Sequence, residues 1–478
     1  MFSVTVSEAS TKLGVSPARV RQLIKSGILA AEQVAGIWLI DEKSVEARRE
    51  HNPGRGRPSA RLSQPNASHY LLMNRDHEVL AFRFDASTGE FLDADEIIDA
   101  KRAPLSIMSP RGTKASRVAL SYWWSHRTIP KARHGIEAKL AELGIADTYD
   151  LPFKSMGLSL SDQYWIKPYG SKIRWSDINY FENDFAEAPV EEWMADVGLD
   201  SPDNTSDGVL SKRWVCRNGE RCLLKGGTLL DQEPYNEVIA TELFSRLLSE
   251  DDYVPYTLIE WGGAPVSSCP NFVGPTEEFI PAYYVNEILP SAPHRDSYRH
   301  YVECCAALGV EGIETALGKM ILCDDIMANT DRHWRNFGLI RDVETLEYRT
   351  APLFDTGSSL WCRVPTRELA YTPFVVDMRP FYEDADRQLR LVGDTSWLNL
   401  DKLAGFPEWA SDFLDENPSM YGRTDFIYEG LQKRIDYLEL LFGQKQGTSK
   451  CHFIPRARKA PTKTSRKEPE AFTSLPPR

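Results

Sequence analysis

The chain has 478 residues, 42% of them hydrophobic, with 12 Trp, 19 Tyr and 20 Phe, enough for a sizeable core and more than one domain. Its 69 acidic residues outnumber 56 basic ones, for a formal charge of −13; that balance excludes a chain that coats nucleic acid everywhere, but leaves room for one basic module. No run of about 18 apolar residues occurs, and the start MFSVTVSEAS lacks a basic segment followed by an apolar one, so no membrane span or secretory signal is expected and the cytoplasm is the expected location. The eight cysteines include the adjacent pair Cys304 and Cys305 but no Cys-x-x-Cys, which favours buried thiols over a structural zinc site.

Residues 1–49 read as one small module. SVTVSEASTKLG gives a short helix with Ser7 as cap, and Gly14, Val15 and Ser16 give a tight turn and a second cap. PARVRQLIKSG follows as a helix, with Val20, Leu23 and Ile24 on one face and Arg19, Arg21 and Lys25 largely on the other. ILAAEQVAGIWLI suggests a hairpin and DEKSVEARRE a further helix. Helix, turn, basic helix, hairpin is a winged helix-turn-helix order, in which Ser16, Arg19, Arg21 and Gln22 would face a DNA groove. The competing reading is a small packing domain whose basic helix is merely solvated. The segment resembles the excisionase and MerR-type winged helix over about 45 residues.

Residues 50–67, EHNPGRGRPSARLSQPNA, form a basic Pro/Gly linker that could not build a core. Its GRGRP run resembles an AT-hook core, with Arg55 and Arg57 suited to a narrow minor groove; an inert basic linker is the alternative. Residues 68–150 form an accessory α+β region. HYLLMN and VLAFRFD are strand-like around RDHE, SRVALSYWWSHR is a helix or strand, and HGIEAKLAELG is helical. Trp123 and Trp124 are expected in a core.

Chemistry begins after residue 204. KRWVC and RCLLK are strand-like around Asn218-Gly219, the strongest short hairpin signal, so Lys225 ends the second strand. The preceding small-residue turn TSDGVLSK, with Ser206 and Gly208, could approach phosphates through backbone N–H groups, although it is no Walker sequence. Ser206 and Ser211 are candidate autophosphorylation points. A helix read from Glu237 carries Val238, Leu243, Leu247 and Leu248, and a helical Glu237 could hold Lys225 against the phosphates of ATP; two unrelated surface charges are the alternative.

GIETALGKMILCDDIMA is a helical run that stops at NTDRHWRNFGLI. There Asp331 and Asn336 stand five positions apart, the spacing at which an aspartate orients a hydroxyl and an asparagine offers a neutral oxygen to Mg²⁺. FGLI and LEYRT pair as a hairpin across RDVET, and its exit delivers Asp355 as a second metal ligand. Asn329 could brace the loop; His333 could bond backbone near Asp355 or pack structurally. FDTGSSLW also looks like an aspartic protease signature, but that chemistry needs a second Asp-Thr-Gly or Asp-Ser-Gly, and the chain has none.

At these residues the chain resembles the HipA-like serine/threonine kinases, the class of bacterial persistence toxins. The family pattern Asn-x-Asp-x-His-x-x-Asn-Phe is met by Asn329, Asp331, His333, Asn336 and Phe337, and Ala-Pro-x-x-Asp by Ala351, Pro352 and Asp355. The resemblance implies a two-lobed kinase-like α+β fold, with residues 151–290 as N-lobe and connection and 291–445 as C-lobe. It implies ATP held by Lys225 with Glu237, Ser206 and Gly208 near it, Asp331 as catalytic base, and Mg²⁺ on Asn336 and Asp355. A protein substrate is expected, DNA through the N-terminal module, and a regulatory partner or homodimer is compatible. Asp-Arg-His-x-x-Asn is also similar to the catalytic loop of phosphatidylinositol kinases, so small-molecule or lipid acceptors stay open. So does a DNA-binding regulator whose kinase-like part is a ligand sensor or scaffold. Residues 446–478 form a basic tail expected to be disordered, with eight Lys/Arg against two Glu from residue 450.

Overall fold

The computed structural model describes residues 2–13, 15–25, 28–34, 37–50, 67–85, 90–107, 115–127, 156–185, 211–228, 230–291 and 295–443. The helix expected around HGIEAKLAELG, the GRGRP run, Ser206, Gly208 and the C-terminal tail lie outside these residues. The chain is a mixed helix-and-sheet protein that separates into two compact units, Met1–Pro65 and Asn66–Arg478.

The first unit has strands β1 (Phe2–Thr5), β2 (Ala31–Val34) and β3 (Ile37–Asp41) and helices α1 (Val6–Leu13), α2 (Pro17–Lys25) and α3 (Glu42–Glu50). The strands form an antiparallel sheet in the order β1-β3-β2. Two features differ from the sequence reading. β1 adds a third strand to the expected hairpin, pairing Val4 with Ile40. The first helix is capped by Thr5, not Ser7: the Thr5 hydroxyl accepts the Glu8 N–H (3.3 Å) while the Glu8 carboxylate accepts the Thr5 N–H (2.8 Å). Pro17 occupies the first position of α2, where its missing N–H costs nothing. Val4, Ala9, Leu13, Val20, Leu23, Leu29, Ile40 and Val45 close a small core.

The second unit carries three antiparallel sheets. The first has the order β6-β5-β4-β7, from β4 (Ala67–Asn74), β5 (His77–Asp85), β6 (Glu90–Ile97) and β7 (Tyr164–Pro168). Helix Arg117–Ser125 packs on it and buries Trp123 and Trp124. The second has the order β10-β11-β9-β8, from β8 (Lys212–Arg217), β9 (Glu220–Lys225), β10 (Thr257–Trp261) and β11 (Ala264–Pro270). Asn218 and Gly219 both have positive φ (54° and 83°), the twist a two-residue hairpin requires. The third, β12 (Glu277–Pro281), β13 (Gly338–Asp342) and β14 (Tyr348–Thr350), includes the expected hairpin across RDVET.

Helix Gln232–Leu247 packs on β10 and β11 and begins five residues before Glu237, earlier than the apolar spacing suggested. Its first turns are lined by buried polar groups, Gln232, Glu233, Asn236 and Glu237, which hide the start from an apolar periodicity. Helices Ser297–Ala307, Ile313–Ile326, Phe406–Leu414 and Thr424–Phe442 enclose the largest core beneath β12–β14. A cleft of about 380 Å³ runs between the second and third sheets and is walled on one side by the helix Arg117–Ser125. No helix among the described residues is long and apolar enough to cross a membrane.

Gly338 sets the entry into β13. A Cβ there would lie 2.1 Å from the Ile280 carbonyl oxygen across the pairing of β12 with β13. Gly338→Ala is expected to destabilise the second unit by about 1–3 kcal/mol, read as a lowered urea midpoint.

Candidate active site

The site is assembled from a loop, a strand end and a segment that follows a hairpin. The loop begins where helix Ile313–Ile326 ends in two consecutive acids, Asp324 and Asp325, 1% and 3% exposed. Each buried carboxylate meets an arginine. Asp325 Oδ1 accepts from Arg434 Nη2 at 2.9 Å. Asp324 takes Arg332 in a bidentate pair, Nε to Oδ2 at 2.8 Å and Nη2 to Oδ1 at 2.9 Å.

Arg332 is fully buried and uses the rest of its fork on backbone. Its Nη1 donates to the carbonyls of Asn336 (2.7 Å) and Phe354 (2.6 Å), and Nη2 reaches Thr356 Oγ1 (3.3 Å). One side chain thus ties the helix end, the Asp331–Asn336 loop and the segment of Asp355. Burial disfavours its charge, but the Asp324 carboxylate outweighs that and holds the guanidinium firmly protonated.

Asn329 is fully buried and braces the loop. Its Nδ2 donates to Asp324 Oδ1 (2.8 Å) and its Oδ1 accepts the Asp331 N–H (3.0 Å). Asn336 Nδ2 donates to the Asp331 carbonyl at 3.1 Å, which turns the amide and leaves Oδ1 as the atom for a cation. His333 does not bond backbone near Asp355; it is exposed, and its Nδ1 accepts the Arg335 N–H at 3.2 Å. Arg332, beside it in sequence, does that work instead, because its longer fork reaches both backbone strands from a buried root.

Lys225, at the end of β9, is 4% exposed and bridges two carboxylates, Glu237 and Asp355. Glu237 uses its other oxygen on the Thr356 N–H at 2.9 Å, so one helical glutamate fixes both the lysine and the Asp-Thr-Gly segment. Burial opposes the charge of Lys225, but Asp355 and Glu237 outweigh it and raise its pKa above the usual lysine range. Burial likewise opposes ionisation of Asp355; Lys225 and Lys212 outweigh it and hold the carboxyl well below the usual range. A lysine-paired carboxylate is the opposite of the proton-sharing carboxylates a protease would need.

Lys212 was missed by the sequence reading. It sits directly across from Lys225 in the hairpin register, so both side chains leave the same face, and both line the cleft with Asn336 and Asp355. The two-residue turn at Asn218-Gly219 fixes that register, and the pairing could have been counted from the sequence. Asp331 stands apart from the residues lining the cleft. Its side chain is 33% exposed, and its Oδ2 accepts from Arg363 Nη2 at 2.8 Å. Ser206 and Gly208 lie outside the described residues, whereas the Ser211 carbonyl accepts the Gly226 N–H (2.9 Å) where β8 begins and β9 ends.

In the N-terminal unit Ser16 precedes α2, and Ser16 and Arg21 are exposed; the same helix carries Arg19 and Gln22. Arg55 and Arg57 lie outside the described residues.

Residues 3–53 match the family model of a helix-turn-helix domain, and the N-terminal unit is a domain of that kind. Comparison with curated proteins gives no match. Among solved structures, the crystal structure of the proinflammatory kinase CtkA of Helicobacter pylori aligns at a TM-score of 0.36 with 16% identity, covering 49% of this chain and 95% of that one.

The buried Arg332–Asp324 pair generates a stability prediction. Arg332→Met strands Asp324 without its counter-charge and is expected to cost about 3–5 kcal/mol by urea denaturation, with partial recovery in Arg332→Met/Asp324→Leu.

Proposed function

We propose that the chain is an ATP- and Mg²⁺-dependent phosphotransferase of the HipA-like serine/threonine kinase type, joined to a DNA-binding helix-turn-helix domain. In this reading the sheet β8–β11 with helix Gln232–Leu247 is the upper lobe. The sheet β12–β14 with its helices is the lower lobe, and the cleft between them takes the nucleotide.

The observation that carries the reading is the Lys225–Glu237–Asp355 bridge together with Asn336 on the same cleft. A strand lysine held by a helical glutamate, next to an aspartate and a neutral amide oxygen, is the set that phosphoryl transfer calls for. The donor set also suits Mg²⁺. Asn336 and Asp355 offer hard oxygen, and no group of three or more His, Cys, Asp and Glu among the described residues could cage a metal alone. Mg²⁺ is bound in such sites by one or two side chains plus substrate phosphates, and when bound it neutralises the charge on those phosphates.

The chain's own residues supply the rest. Lys225 and Lys212 hold phosphate oxygens through two ammoniums on one face of the β8–β9 hairpin. Asp331 orients the acceptor hydroxyl and takes its proton. Arg332 and Asn329 keep Asp331 and Asn336 at fixed separation from Asp355, which is how positioning lowers the barrier. Phe272, Phe279 and Phe354, with ring centroids 5.0–5.7 Å apart, give the cleft an aromatic wall suited to a purine.

The test is transfer from γ-labelled ATP with Mg²⁺ to a generic protein acceptor. Asp331→Asn is expected to lower transfer by about 10²–10⁴-fold with Mg²⁺-ATP binding kept; Lys225→Met is expected to weaken nucleotide binding as well. Wild-type protein that neither binds nor turns over Mg²⁺-ATP sinks the reading. For the N-terminal domain, Arg21→Ala in the full chain is expected to weaken DNA binding and lower the slope of log K against log salt by about 1, measured by fluorescence anisotropy.

A further inference from the structure

We propose that Arg363 determines acceptor specificity: its guanidinium selects a peptide with an acidic group beside the hydroxyl presented to Asp331. The inference rests on the phosphotransferase reading and names the substrate class of that site.

Arg363 sits eight residues after Asp355, on a backbone that is fixed although its side chain is 64% exposed. Leu360 and Trp361 are both left-handed (φ 50° and 55°). They are held there by Leu360 N–H to the Met327 carbonyl (2.9 Å) and by Arg423 Nη2 to the Trp361 carbonyl (2.9 Å). From that root Arg363 Nη2 donates to both Asp331 Oδ2 (2.8 Å) and Ser358 Oγ (3.1 Å). Among the described residues Nη1 and Nε of Arg363 make no hydrogen bond, so most of the fork is turned to solvent at the very carboxylate an acceptor hydroxyl must reach.

Arg367, four residues on, is 85% exposed and, among the described residues, pairs with the exposed Glu368 at 3.4 Å; Arg335, in the Asp331–Asn336 loop, lines the cleft. The chain as a whole is at −13, so the open guanidinium of Arg363 is a local feature rather than a bulk property. An open guanidinium attracts acidic ligands and repels basic ones.

The chemistry follows from the shared carboxylate. An exposed ion pair is weakly held, whereas a carboxylate or phosphate on the acceptor can engage the open fork bidentately. That engagement draws Arg363 from Asp331 and frees the base for the hydroxyl. The hydroxyl oxygen then bonds to the γ-phosphorus of ATP, the bond from that phosphorus to the bridging oxygen of ADP breaks, and the hydroxyl proton passes to Asp331. Because the Asp331 side chain is a third exposed, a polypeptide segment has access to it.

The experiment uses the full chain with Mg²⁺-ATP and two synthetic peptides, each with one serine, flanked by glutamates in one and by lysines in the other. Binding of Mg²⁺-ATP is followed in parallel by calorimetry. The glutamate peptide is expected to be favoured about tenfold or more in kcat/KM, chiefly through KM. Arg363→Glu should reverse the preference, and Arg363→Lys should keep its sign. Equal rates, a preference for the lysine peptide, or a preference unchanged in Arg363→Glu overturns the proposal and leaves the phosphotransferase reading standing. Transfer to neither peptide with Mg²⁺-ATP bound also overturns it. Neither transfer nor nucleotide binding removes the phosphotransferase reading and this inference together.

Discussion

The buried pair of Arg332 and Asp324 is the constraint on which the rest of the site depends. Removing both charges from water is expensive, and a simple apolar contact would often be the more stable solution. What the pair provides is register. The carboxylate is fixed at a helix end, and the guanidinium, anchored on it, presents its remaining donors to the Asn336, Phe354 and Thr356 positions. Three successive chain segments, the helix end, the loop and the segment of Asp355, are thereby held at distances set by one rigid planar group. A lysine at position 332 would keep the charge but lose that geometry.

A second set of buried polar groups fixes the segment after Asp355. Gln232 Nε2 donates to the Leu360 carbonyl (2.9 Å), and Asn236 Nδ2 to the carbonyls of Gly357 and Ser359 (2.8 Å each). These side chains are four residues apart, on one face of the helix that also bears Glu237. The left-handed residues Asp355, Leu360 and Trp361 are sterically costly and persist only where surroundings over-determine them. Here the surroundings are this helix and Arg423, so the segment is held as a rigid part of the site.

The electrostatics of the cleft run against the chain's overall balance. Lys212 and Lys225 stand side by side on one face of the β8–β9 hairpin, where two ammoniums would repel each other without an anion between or beside them. Glu237 and Asp355 supply that anionic charge within the fold, and the two ammoniums in turn keep Asp355 ionised against its burial. Phosphate oxygens are the ligand chemistry that would suit the same two lysines, which is why the reading of Lys225 extends naturally to its cross-strand partner.

Much of the local structure was legible in the sequence. Asn218-Gly219 marked its hairpin, Asp331 and Asn336 announced their loop by spacing, and Val20, Leu23 and Ile24 marked the buried face of α2. These are short-range properties: turn dihedrals and helical periodicity act within a few residues. The errors were of two kinds. Thr5 rather than Ser7 caps α1 because β1, a strand recruited by pairing with β3, moves the helix start. The helix before Glu237 was read short because its first turns bury polar side chains against carbonyls more than a hundred residues away. Turn chemistry and residue spacing were enough for the hairpins, the loop and the inventory of candidate groups. Folding was needed to make Arg332 rather than His333 tie the loops, to set Lys212 beside Lys225, and to bring Arg363 to Asp331. Those contacts join groups whose partner is chosen by packing, and burial, which makes each buried pairing obligatory, is not a property of any local stretch of chain.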